Sequence, residues 1–164
     1  TVEVFSNRVE ISNPGEPIVP VERFIDGYQS RNERLADLMR RFGICEEKSS
    51  GIDRVIESAE LMQLPAPEFL TGHKRTTVVI YGPRAFREMN GSDRVRACYQ
   101  HCVLQYVLRK QMTNQSLRER FGLSEGSSNT VSQIITATME QRLVKNDPNA
   151  PDSRRYARYI PIWA

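Results

Sequence analysis

The chain is most readily bounded by what it has little of: three cysteines, one tryptophan and no long apolar run in 164 residues. Cys45, Cys98 and Cys102 are odd in number and form no Cys-x-x-Cys pair, which argues against a disulfide framework and for a reducing cytosol. No apolar stretch approaches the ~18 residues of a membrane-spanning helix, and no signal-peptide pattern is present. The phosphate cradle Gly-x-x-x-x-Gly-Lys-Ser/Thr is also absent, which sets aside Walker-type nucleotide chemistry. Cys98, His101 and Cys102 lie close together on one helical pattern, but they fall short of the four ligands of a structural zinc site. Both cysteines read as small core residues, and no metal is expected.

Apolar residues make up 39% and charged residues 26%, the balance of a soluble globular protein of one medium or two small domains. The net charge of +3 is unevenly spread. Residues 1–91 hold 12 Lys/Arg against 14 Asp/Glu, whereas residues 92–164 hold 11 against 6. The basic excess therefore belongs to the C-terminal part, as an electrostatic footprint for nucleic acid would. The chain opens at Thr1, inside a strand pattern and without an initiator methionine, and reads as a piece of something longer.

Val2, Val4, Val9 and Ile11 alternate around Ser6-Asn7-Arg8, a hairpin pattern ended by Asn13-Pro14-Gly15. Asn32 is placed to cap a helix whose stripe is Leu35, Leu38, Met39 and Phe42, with Gly43 as its stop. A second helix starts near Ser49-Ser50-Gly51, carries Ile52, Val55, Ile56, Ala59 and Met62, and stops before Pro65. The β-branched run Thr76–Tyr81 predicts a strand. These elements give an α+β segment over 1–83, a linker over 84–91 and a second domain over 92–164.

The second domain has the pattern of a winged helix-turn-helix. A long helix is expected from Ser92 to Gln111, a short one over Thr113–Phe121 stopping at Gly122, and a third over Ser127–Leu143. A turn-rich basic hairpin then leads to Tyr159-Ile160-Pro161. In the third helix Val131, Ile134, Ile135, Thr138 and Met139 form one stripe, and Asn129, Gln133, Thr136 and Glu140 fall opposite. Ser127, Ser128, Asn129, Thr130, Gln133 and Thr136 are thus candidate contacts to double-stranded DNA, since amides pair with adenine and hydroxyls reach phosphates. Lys145, Arg154, Arg155 and Arg158 supply positive charge on the wing, and Arg118 and Arg120 could anchor to the DNA backbone or pair with Glu119.

Three segments together carry a family resemblance. They are Val9-Glu10-Ile11-Ser12-Asn13-Pro14-Gly15, then Arg31-Asn32 through Leu35-Ala36-Asp37-Leu38 to Gly43-Ile44 and Lys48-Ser49-Ser50-Gly51-Ile52-Asp53-Arg54, and finally Met112–Gly122 with the terminal Ile160-Pro161-Ile162-Trp163-Ala164. In these the chain resembles the C-terminal region of the bacterial AlbA_2 (Schlafen-type) transcriptional regulators labelled "ATP-dependent DNA helicase RecG-related". The resemblance implies a truncated GHKL-like (histidine-kinase-like ATPase) α/β sandwich before the winged helix, with the AlbA-like domain lying before Thr1. It also implies a cytoplasmic protein and no membrane partner. Asn13 and Gly15 would stand in that superfamily's adenine-binding turn, and Ser49, Ser50 and Gly51 in its phosphate-binding segment. Glu16 occupies the place of a glycine there and adds negative charge. The expectation is therefore a DNA-binding regulator, a homo-oligomer with no catalytic residues of its own, and ATP as the one possible cofactor. Two other readings stay open: a nucleotide-binding module of a larger ATP-dependent protein, and a protein-interaction or oligomerisation module.

Overall fold

The computed structural model describes residues 1–44, 50–151, 153 and 156–164, with Ser50 described through its backbone only. The N-terminal hairpin forms as expected from Val2–Val4 (β1) and Arg8–Pro14 (β2). β2 pairs along its length with β4, Arg75–Tyr81, whose β-branched residues suit a central strand. The hydroxyls of Ser12 and Thr77 meet across this pair at 2.8 Å. Glu68–Gly72 (β3) takes the far edge, giving an antiparallel sheet in the order β1-β2-β4-β3. β3 was not expected from its sequence, because its hairpin turn is His73-Lys74, both left-handed at φ 51° and 57°, and lacks the usual Asn-Gly.

Asn32 caps α1, Glu33–Arg41, by accepting the Leu35 N–H at 3.0 Å, and Gly43 follows at φ 66°. The apolar stripe is present but lies open to solvent: Leu35 is 51% and Phe42 71% exposed, and no residue of α1 is buried. α2, Ser50–Leu61, does bury its stripe at Ile56 and Ala59, though Met62 beyond its end is exposed.

The longest helix among the described residues, α3 (Gly91–Val107), is the hub. Asn90 caps it, and Val95, Ala97, Cys98, Cys102, Val103 and Leu104 bury nearly all round, as a helix enclosed by its neighbours must. It ends at Val107 rather than Gln111, because Arg109 turns left-handed at φ 56° and delivers Met112 to an antiparallel bridge with Tyr159. α4 (Asn114–Arg120) and α5 (Ser128–Glu140) follow, and a hairpin of β5 (Val144–Asn146) with β6 (Tyr159–Pro161) closes the described chain. α5 stops three residues before the expected Leu143, since Arg142 takes φ 56° and the Leu143 N–H returns to the Thr138 carbonyl.

The architecture is α+β with one continuous core. Ile25, Ile56 and Ala66 from the N-terminal part share it with Cys102, Leu117, Ile135 and Val144. Residues 84–91, expected as a linker, carry a short 3-10 turn, Phe86–Glu88, and bury Met89. Phe86 meets Phe121 edge-on with ring centroids 5.0 Å apart. At Gly122, φ 63°, a β-carbon would also collide with the Gln63 side-chain amide at 2.7 Å, so the α4–α5 turn abuts the end of α2. No helix among the described residues is long and apolar enough to cross a membrane.

Candidate functional site

The relation of α4 to α5 rests on Asn114. Its amide nitrogen donates to the Ser128 carbonyl and to the Ser132 hydroxyl, each at 3.0 Å, while its oxygen accepts from Arg118 Nε at 3.0 Å and from the Ser128 hydroxyl at 3.3 Å. Leu117 is buried beneath this contact, and Val131, Ile134, Ile135 and Thr138 fill the inner side of α5. The outer side presents Ser128, Asn129, Thr130, Gln133, Thr136 and Glu140, all exposed, and Ser127 is half-buried in the preceding 3-10 turn. The faces expected from 100° spacing are thus those of the structure. Apart from Glu140, this outer face bears small uncharged hydrogen-bonding groups.

The cations around it have differing fates. Arg118 is oriented by Asn114 and half-buried. Lys145 Nζ donates to the Ala164 carbonyl at 2.6 Å, which ties the middle of β5 to Ala164. Arg158 is half-buried at the root of the wing, and Arg154 and Arg155 lie outside the described residues. Arg120 cannot anchor DNA: it is 5% exposed, its Nη2 donates to the Leu64 carbonyl at 2.7 Å, and burial lowers its pKa against the opposing pull of Glu60. Arg120 Nε stands 3.4 Å from Glu60 Oε1, an ion pair without hydrogen-bond alignment.

That carboxylate belongs to a buried polar seam. Glu60 Oε2 lies 2.9 Å from His101 Nδ1, and His101 Nε2 lies 3.0 Å from the Ser116 hydroxyl. Ser116 is also half of the reciprocal cap with Thr113 that starts α4. The seam therefore runs from α2 through α3 into α4. Sequence reading placed His101 beside two cysteines, whereas both its nitrogens face oxygen partners. Cys98 and Cys102 are core thiols; burial pushes Cys98 up to about 12 and Cys102 further still.

The nucleotide candidates partly converge. Asn13 and Gly15 line an open cleft of about 620 Å³ with Pro14, Phe24, Arg31 and Ile52, the last in the first turn of α2 directly after Gly51. Gly15 takes φ 99°, which a β-carbon disfavours, and the space beside it is empty. Its N–H is already spent on the Lys74 carbonyl at 2.6 Å, and its carbonyl accepts from Thr76 Oγ1 at 2.8 Å. Arg31 donates to the Glu16 carbonyl, which sets a guanidinium at the mouth. Ser49 and the Ser50 side chain lie outside the described residues. Phe24 lies outside every pattern in the sequence, and Arg31 and Asn114 stand only within the family-resemblance segments, because the role of each rests on a tertiary contact.

Among the described residues, no three of His, Cys, Asp and Glu cluster closely enough to hold a metal. No curated protein and no solved structure matches the chain. Residues 1–80 match a family described as "Putative ATP-dependent DNA helicase recG C-terminal", a stretch that holds the whole Asn13–Gly15 cleft and ends in β4. The N-terminal part is therefore similar to a RecG-related, ATPase-like region.

Proposed function

We propose that this chain is the DNA-binding part of a cytoplasmic transcriptional regulator, acting on duplex DNA as a homo-oligomer. The order helix, bridge, helix, helix, hairpin from α3 to β6 supports a winged helix. The observation that carries the reading is the outer face of α5, where Asn129, Thr130, Gln133 and Thr136 stand exposed on a helix that Asn114 holds against α4. Such a face reads base edges through amides and hydroxyls, and the wing arginines supply affinity through phosphates.

The test is duplex binding by fluorescence anisotropy over a range of salt. Affinity falls steeply as salt rises, because phosphate contacts release counterions. Replacing Arg154, Arg155 and Arg158 with alanine lowers both affinity and salt slope, whereas Gln133→Ala changes the preferred sequence. Salt-independent or absent binding overturns the reading.

One observation favours a second reading, a nucleotide-binding module: the Asn13–Gly15–Ile52 cleft lies inside the RecG-like stretch. The cleft has room and an apolar wall at Phe24 and Ile52, and Asn13 offers an amide to a base. For phosphates its described lining offers one cation, Arg31, beside the opposing charge of Glu16. The residues fit the base end better than the phosphate end. Calorimetric titration with ATP and magnesium gives a saturable heat if this reading holds and a flat trace if it fails.

A further inference from the structure

We propose that a second cleft, at the junction of the C-terminal end of α3, β6 and the root of the wing, binds a small organic anion with a planar apolar body. The cleft measures about 550 Å³, within the range of small-molecule sites. Its apolar wall is Tyr106, Val107, Ile160 and Trp163. Tyr106 is 42% exposed and meets Trp163 edge-on at 5.5 Å, so one aromatic ring is fixed in place and still open to a stacking partner.

The charges decide what enters. Among the described residues, two acids and two cations line the cleft. Asp26 accepts Arg23 Nε at 2.9 and 2.8 Å, and that guanidinium in turn sits 4.0 Å over the Trp163 ring. Asp147 Oδ1 accepts the Asn149 N–H at 2.9 Å. The two cations, Arg109 and Lys110, are exposed, and neither side chain has a hydrogen-bond or ion-pair partner among the described residues. With Asp26 paired to Arg23, the described lining sets Arg109 and Lys110 against Asp147, and this net positive charge beside an open aromatic ring selects an anion that carries a flat apolar group. Gln111, on the same rim, adds an amide. Arg109 itself holds φ 56°, where a helix end ordinarily has glycine or asparagine.

An aromatic carboxylate and a mononucleotide share this chemistry, and the two are separable. The inference rests on this cleft alone and stands whether or not DNA is the partner of α5. Trp163 is the only tryptophan, so its fluorescence reports the cleft directly. The full chain is titrated with benzoate and, separately, with AMP; acetate supplies the charge without the ring, and benzyl alcohol the ring without the charge. A saturable change with benzoate or AMP, absent with both controls, is the expected result, and whichever of the two saturates at lower concentration names the source. Arg109→Asn, which tolerates the left-handed backbone there, combined with Lys110→Gln weakens that binding at least tenfold while the melting temperature stays within a few degrees of the parent. No saturable change up to about 10 mM, weaker than any useful affinity, overturns the proposal. So does binding that survives the double substitution, which would put the ligand elsewhere. A tenfold loss of duplex affinity in the ligand-free double variant also overturns it, by assigning the two cations to DNA.

Discussion

His101 Nδ1 lies 2.9 Å from Glu60 Oε2, and through that contact the last turn of α2 grips the helix on which α4 and α5 are mounted. Glu60 also faces the nearly buried Arg120 guanidinium, so one carboxylate answers two partners. Glu60→Ala leaves Arg120 buried without its counter-charge and costs about 3–5 kcal/mol in urea unfolding. Glu60→Gln keeps a hydrogen-bond acceptor for His101 and costs less. Equal stability of the alanine variant and the parent would show that the seam contributes nothing.

Asn114→Ala removes the amide that spans α4 and α5 and releases Ser128, while Asn129, Thr130, Gln133 and Thr136 stay as they are. Circular dichroism should stay native, while duplex affinity falls about tenfold, equivalent to ~1.4 kcal/mol, because the reading helix loses its fixed orientation. An unaltered affinity would detach the Asn114 contacts from recognition.

Asp53, in the first turn of α2, has one buried carboxylate oxygen without a hydrogen-bond partner among the described residues. Burial raises its pKa above the ordinary 3.8, with Asp26 and Glu57 adding to the effect. A raised carboxylate is destabilising once ionised, so this penalty is present at neutral pH and vanishes as pH falls through the raised value. Asp53→Asn should therefore melt higher than the parent at neutral pH, with the two curves converging below pH 3.8, where the group is protonated in both states. A difference that stays constant across this range would mean that the gain has another origin.

The turn joining β3 to β4 places His73 and Lys74 in left-handed conformations that favour Asn-Gly. His73→Asn with Lys74→Gly should stabilise the protein by about 1 kcal/mol, or roughly 2–4 °C in Tm for a chain of this size. A fall in Tm would show that one of these side chains makes a contact worth more than the strain.

The same turn explains part of what the sequence left hidden. Apolar spacing predicts β1, β2 and the helices α1 to α5, and the β-branched run Thr76–Tyr81 predicts β4. Helix ends follow the sequence where Asn32 caps and where Gly43 and Gly122 stop. They were misread at Arg109 and Arg142, where an arginine does the work usually left to glycine. β3 escaped for the same reason, at His73 and Lys74. The stripe of α1 was legible, yet its exposure was not, since periodicity tells which residues share a face and not what lies against it. At the candidate sites, the outer face of α5 followed from geometry alone. The burial of Arg120, the commitment of Lys145 to Ala164 and the openness of Arg109 and Lys110 depend on partners distant in sequence, and local pattern carries no trace of them.

The shared core has a thermodynamic corollary. Ile25, Ile56 and Ala66 are enclosed by the same side chains that hold α3, α4 and α5, so denaturation of one part removes the walls of the other. Any molecule that prefers the native chain, wherever it sits, then raises the melting point of the whole by mass action, in proportion to the logarithm of its concentration above its Kd. A duplex on α5, a nucleotide beside Gly15 and an anion beside Tyr106 would each register in a single calorimetric peak, and occupancy at one would be felt as resistance to unfolding at the rest.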